Sequence, residues 1–343
     1  MPAKSTSKPR KINLALQGGG AHGAFTWGVL DCLLEDGRLD IVGISGTSAG
    51  ALNGVVMADG LERGGVDCGR ERLANFWEKL SKLGQFSMIQ RTPFDRARGD
   101  WSLDFSPGRM FYDTFTRTFS PYEFNPANYN PLYDLLKQEV DFERVRACSS
   151  IQLFVCATNV KSGKTKVFKH HEVTAETVMA SSCLPEVYQA VEVDGEFYWD
   201  GGFMGNPPLY PLFYHTNCPD VLLIQINPVE RNEIPKTARD IHNRLNEITF
   251  NATLLRELRM VDFVTRLIDH GKLDEETYKR VNMHVIRPAD AMLDLSSSSK
   301  LNLELEFLYY LRDLGRESAA QWLEENYEQI GEASTLNLRS MFE

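Results

Sequence analysis

The chain has 343 residues, 43% hydrophobic and 24% charged, and its 47 acidic against 37 basic side chains leave a net charge of −10. This is the make-up of a folded protein with a sizeable core, and the acidic balance excludes the basic field on which a nucleic-acid binder depends. No overall attraction to anionic membranes follows from such a charge, so any lipid contact has to be local and largely apolar.

Residues 1–11 are polar and basic, with Pro2 and Pro9, and no apolar stretch of signal-peptide length follows them. A short disordered tail is therefore predicted there, in place of a secretory signal or a membrane span. The remainder is expected to divide into a main domain over 12–230 and a mainly helical extension over 231–343 packed on it. Apolar runs predict strands at 12–16, 40–45, 151–160, 221–227 and 283–287, and helical patterns fall at 23–35, 48–57, 70–82 and 129–139. Their alternation predicts an α/β fold, a mostly parallel sheet with helices on both faces. Between them 85–128 is rich in Phe, Arg, Asp and Pro and weakly periodic, which suits an insertion or a lid and equally an ordinary irregular surface stretch. A hairpin is expected over 187–199 with Asp194-Gly195 as its turn.

In the extension, Ile241, Leu245, Ile248, Ala252, Leu255 and Leu258 recur at spacings of three and four, one apolar stripe on a helix over 235–271. Arg239, Arg244, Arg256, Arg259 and Arg266 line much of the rest. Docking of the stripe on the core is expected, with a dimer interface, and so a homo-oligomer, or a membrane-surface helix as the other uses. A second helical stretch over 301–329, with Leu303, Phe307, Leu308, Leu311 and Leu314, is expected to pack against the first. Cys32, Cys68, Cys148, Cys156, Cys183 and Cys218 show no C-x-x-C pairing, and neither they nor the seven histidines have metal-ligand spacing. Reduced, buried thiols in a cytoplasmic protein are predicted, with neither a metal nor a cofactor.

Chemistry concentrates at glycine-rich breaks. Ser48 stands in Gly46-Thr47-Ser48-Ala49-Gly50, between a predicted strand and a predicted helix. A G-x-S-x-G string in that context is a candidate nucleophile elbow, with Gly46 and Gly50 allowing the sharp turn. Upstream, Gly18, Gly19 and Gly20 follow the first predicted strand and offer backbone N–H groups to an oxyanion. Downstream, Asp200 leads into Gly201 and Gly202, a carboxylate placed to take a proton from the serine. A serine, a donor loop and a carboxylate are the parts of an acyl-transfer site.

The order Gly-Gly-Gly-x-x-Gly, Gly-x-Ser-x-Gly, Asp-Gly-Gly resembles the patatin-like phospholipases, lipid acyl hydrolases that use a Ser-Asp dyad. Ala180-Ser181-Ser182-Cys183-Leu184-Pro185 and Asn206-Pro207 are similar to two further segments of that family. The resemblance covers roughly 12–228. It implies a three-layer α/β/α patatin-like sheet, Ser48 as nucleophile, Asp200 as base, Gly18, Gly19 and Gly20 as the oxyanion hole, and a fatty-acyl ester as substrate. His22 departs from the pattern, which usually has Arg or Lys there; an imidazole titrates near neutrality and gives no fixed charge beside the loop.

Two rival readings use the same residues. Gly18, Gly20 and Gly23 also fit a dinucleotide fingerprint, yet the second strand ends Gly43-Ile44-Ser45-Gly46 with its only acid, Asp40, at the wrong end. An α/β-hydrolase would add a histidine after the acid; His215, His242, His270 and His284 follow Asp200, none in a loop of catalytic character.

Overall fold

The computed structural model describes residues 8–231, 233–274, 277–288, 292 and 295–342. Residues 1–7 of the expected tail lie outside these, as does the side chain of Arg239. Among the described residues eight strands form the sheet: β1 Arg10–Leu16, β2 Leu39–Gly46, β3 Gln152–Asn159, β4 Thr165–Lys169, β5 Val191–Val193, β6 Glu196–Asp200, β7 Asp220–Ile224 and β8 Asn282–Ile286. Their order is β5-β6-β3-β2-β1-β7-β8, with β4 also on β3. The pairs among β3, β2, β1, β7 and β8 are parallel, and β4, β5 and β6 add an antiparallel corner.

Around the sheet lie α1 Gly23–Asp36, α2 Ala49–Gly84, α3 Pro93–Ala97, α4 Pro107–Thr118, α5 Pro121–Phe124, α6 Pro131–Glu139, α7 Phe142–Ala147, α8 Ala175–Ser181, α9 Tyr210–His215, α10 Ala238–Asp269 and α11 Leu305–Asn326. Period-two alternation sends strand side chains to opposite faces. Ile12, Leu14, Leu16, Leu222 and Ile224 enter one core with α1, α2 and α11, whereas Ala15, Val221 and Leu223 enter the other with Leu254 and Leu258 of α10. The result is three layers, with a buried apolar core on each side of the sheet.

Several expected boundaries are corrected. β1 begins at Arg10, so Arg10 and Lys11 belong to the sheet and not to a tail; the Arg10 guanidinium is held by the Glu328 carboxylate at 2.7 Å. β7 stops at Ile224, and β5 covers only Val191–Val193 of the expected hairpin arm. β4 carries no clear alternation and is an unforeseen strand. The helices expected at 48–57 and 70–82 lie within α2, which breaks at Gly64 and Gly65. Nor is 85–128 irregular: α3, α4 and α5 each start with proline behind Thr92, Ser106 or Ser120, and α6 does the same behind Asn130. Proline at the first helical position loses no needed N–H, and the preceding side chain caps the turn.

The C-terminal half of the expected α10 stripe docks and the N-terminal half does not. Leu258 is buried and Leu255 packs on the core, whereas Ile241, Leu245 and Ile248 are 45%, 56% and 51% exposed. Glu247, Asn251, Leu254 and Val261 fill the inward face. The inward face is mixed polar and apolar, because Glu247 pairs with Arg231 at 2.6 Å and with Arg244 at 3.0 Å, while Asn251 bonds Gln17. α11 packs chiefly on α1, not on α10. There Gly28 and Gly315 let the backbones touch, since a Cβ at either would strike the carbonyl oxygen of Arg312 or Phe25. Together with β8, α11 makes residues beyond 230 part of the sheet and of the core beneath it. Among the described residues no helix is long and apolar enough to cross a membrane, and no cluster of His, Cys, Asp or Glu could hold a metal ion. All six cysteines are free.

Candidate active site

Sheet register brings Ser48 and Asp200 together. β4 occupies one edge of β3 through residues 154–158, so β2 and β6 must share the other. On that edge Gly46 of β2 lies opposite Val155, and Asp200 of β6 lies opposite Ala157. β2 therefore ends where β6 arrives, and a residue just past the end of β2 meets the last residue of β6.

Ser48 is that residue. Its φ of 52° and ψ of −122° put a non-glycine residue in the left-handed half of backbone space, strain of the kind stored at functional turns. The turn is tight because α2 starts against the end of β1: a Cβ on Gly50 would strike the Leu16 carbonyl, and one on Gly18 would come 2.8 Å from Ser48 Cβ. The Ala180–Pro185 segment fastens both partners. Ser48 N–H donates to Ser181 Oγ at 2.9 Å, and Asp200 N–H donates to the Cys183 carbonyl at 2.7 Å.

The Asp200 carboxylate is 1% exposed and accepts from Gly202 N–H at 2.7 Å. Burial pushes its pKa up to about 6, against the pull of the Gly202 amide and the Ser48 hydroxyl, with a small upward push from Glu186. Ser48 thus stands beside a carboxylate more basic than one in water. A Cβ on Gly202 would overlap the ring of Phe250 from α10, so that helix closes the floor beside Asp200. Burial and the Asp200 charge also push the Cys156 and Cys183 thiols up, the latter to about 12, which keeps both unreactive.

The glycine loop is held by carboxamides. Gly18 N–H donates to Asn206 Oδ1 at 2.7 Å, and its carbonyl accepts from Asn227 Nδ2 at 2.7 Å. Gln17 Oε1 accepts from the backbone N–H groups of Ile226 and Asn227, at 2.9 Å each. Gly18 N–H is therefore engaged, which leaves Gly19 and Gly20 as the expected donors still open to a ligand. His22 is buried and bonds Ser299 Oγ at 2.7 Å. Burial, Lys300 and Arg231 push its pKa down to about 3, so it is neutral and does not titrate near pH 7. Asn227 and Lys300 were not singled out from the sequence, since no motif contains them.

The four histidines of the rival triad lie in other settings. His284 is buried and bonded to Asp220 at 3.0 Å, His215 stacks on Phe154, and His270 is tied to the Arg266 carbonyl. His242 is exposed on α10.

The family model described as patatin-like phospholipase matches residues 14–213, more than half of the chain, and the chain belongs to that family. Curated relatives from Mycobacterium bovis and Mycobacterium tuberculosis, described as uncharacterized NTE family proteins, are 27% identical over 266 residues. That match covers 74% of this chain and 61% of each relative, so the chain spans about three-fifths of their length. Among solved structures, VipD from Legionella pneumophila is similar over 92% of this chain and 67% of its own, at 14% identity and a TM-score of 0.45. The ExoU–SpcU complex of Pseudomonas aeruginosa is similar over 94% of this chain and 53% of its own, at 16% identity and a TM-score of 0.38.

Proposed function

We propose that the chain is a serine lipid acyl hydrolase, cleaving fatty-acyl esters of the phospholipid or lysophospholipid kind through an acyl-Ser48 intermediate with Asp200 as general base. The observation that carries this reading is Ser48 on a strained turn at the end of β2, where the sheet register delivers the buried Asp200 carboxylate from the end of β6. Ser48 Oγ attacks the ester carbonyl carbon while its proton passes to Asp200, and the carbonyl electron pair moves onto oxygen. Backbone N–H groups of the glycine loop stabilise that oxyanion, at ~3 kcal/mol for each well-placed donor. Collapse breaks the ester C–O bond, and Asp200 returns its proton to the leaving alcohol. Water then attacks the acyl-serine as Asp200 takes its proton, and collapse breaks the acyl–Oγ bond, returns that proton to Ser48 Oγ and frees the fatty acid. This chain's residues accomplish every proton transfer in the cycle.

The six free thiols, buried at every position but Cys68, fit a reducing cytoplasm. The exposed Ile241, Leu245 and Ile248 sit on the helix whose Phe250 covers Gly202, and this favours transient contact with a lipid surface at the site mouth. The experiment is hydrolysis of a panel of soluble acyl esters, lysophospholipid and phospholipid vesicles by wild type and Ser48→Ala. Release of fatty acid by wild type alone is expected. No turnover on any member of the panel, or equal turnover by both proteins, contradicts the reading.

A further inference from the structure

One charged group at the glycine loop has no part in the cycle above. Lys300 lies in the 3-10 turn Ser297–Leu301, which is pressed on the loop: a Cβ on Gly20 would come 2.5 Å from the Lys300 carbonyl oxygen, and His22 bonds the neighbouring Ser299. The Lys300 ammonium donates to Asn227 Oδ1 at 2.7 Å, and Asn227 Nδ2 donates to the Gly18 carbonyl at 2.7 Å. No amide flip is open to Asn227, because an ammonium only donates and a carbonyl only accepts. In a trans peptide the carbonyl and the following N–H point in opposite directions. A Gly18 carbonyl turned onto Asn227 therefore aims Gly19 N–H the other way. Among the described residues no acceptor takes that N–H.

We infer that Lys300 is a positioning residue for the reaction: its ammonium acts through the Asn227 carboxamide on the Gly18–Gly19 peptide, aligning and polarising Gly19 N–H as the donor to the oxyanion. Each bond in the row Lys300, Asn227, Gly18, Gly19 polarises the next in the same sense, so a positive charge at one end strengthens the donor at the other. The effect grows as negative charge develops on the substrate oxygen, and it should be felt in kcat more than in KM. With His22 neutral, Lys300 supplies the positive charge beside the loop, and it comes from far outside the glycine motif. The charged groups facing it are Glu247 of α10 and Arg231, with His22 on the loop side. Burial lowers its pKa to about 8, with Arg231 adding to the fall and Glu247 opposing it. The active, protonated form is therefore complete below that value and declines above it.

This inference rests on the acyl-serine reading, and the test separates the two. Wild type, Ser48→Ala, Lys300→Met and Lys300→Gln are compared on one soluble acyl ester between pH 5 and 10, with thermal unfolding recorded for each. The expected result is a loss of about 10- to 100-fold in kcat for both Lys300 variants, the range of a weakened oxyanion donor, with KM within about twofold. The alkaline limb of wild type near pH 8 should be absent from both. Lys300→Gln keeps an N–H for Asn227 without the charge, so it separates hydrogen bonding from polarisation and guards against misfolding of Lys300→Met. Wild-type kcat in Lys300→Gln, or a loss of activity that leaves the alkaline limb in place, overturns the inference while leaving the dyad intact. A wild type without Ser48-dependent turnover overturns both.

Discussion

At Asp200 the protein keeps a carboxylate where water would not go, and the consequence reaches both folding and catalysis. Because burial raises its folded pKa from 3.8 to about 6, the native state binds the proton more tightly than the unfolded chain. Its contribution to stability is most favourable below pH 3.8 and falls as pH rises to about 6, a penalty on the order of 2–3 kcal/mol above that range. Asp200→Asn should abolish turnover yet unfold at a higher temperature than wild type at pH 8, the gain shrinking to nothing near pH 4. Calorimetry at both pH values checks this, and a variant less stable than wild type at pH 8 counts against a strained, buried anion. On the proposed mechanism the same group sets the acid limb: kcat/KM should rise through about pH 6 as Asp200 loses its proton and becomes a base. A profile flat down to pH 4 would mean that Asp200 is not the base. His284→Gln, by contrast, should leave the pH profile unchanged in whatever fraction of the variant folds.

At the scale of elements, close backbone approaches decide what can change. Gly28 of α1 and Gly315 of α11 each face a carbonyl of the other helix, so Gly28→Ala should destabilise the fold by about 1–3 kcal/mol without altering kcat of the folded enzyme. Urea unfolding tests it; an unchanged midpoint would show that the two helices are not in backbone contact. Much at this scale was legible in the sequence. The strand-turn-helix context of Ser48, the Asp-Gly turn of the hairpin and most strands follow from local pattern. The docking face of α10 does not, because its buried positions include Glu247 and Asn251, which no hydrophobic periodicity reveals. The helices within 85–128 were readable from their Pro starts, a signal outweighed there by weak periodicity. Lys300 and Asn227 could not be found this way: they stand 73 residues apart in segments without motif character, and only the fold joins them to the glycine loop.

For the whole molecule, the segment beyond 230 completes the sheet and the candidate site rather than decorating them. It adds β8 to the edge of β7, covers α1 with α11, seats Phe250 on Gly202 and delivers Lys300. A chain ending at Pro228 should therefore be insoluble or unfolded, losing burial worth ~1.5–3 kcal/mol for each large side chain such as Leu258, Phe307 or Leu311. A folded, active fragment would refute that dependence. The central claim, an acyl-enzyme at Ser48, is tested most directly by covalent labelling of the full chain with a fluorophosphonate acyl-ester mimic, the modified residue being mapped by peptide mass spectrometry. The account predicts stoichiometric modification of Ser48, none in Ser48→Ala, and much slower labelling in Asp200→Asn at pH 8. Labelling at another residue, or undiminished labelling of Ser48→Ala, would contradict it.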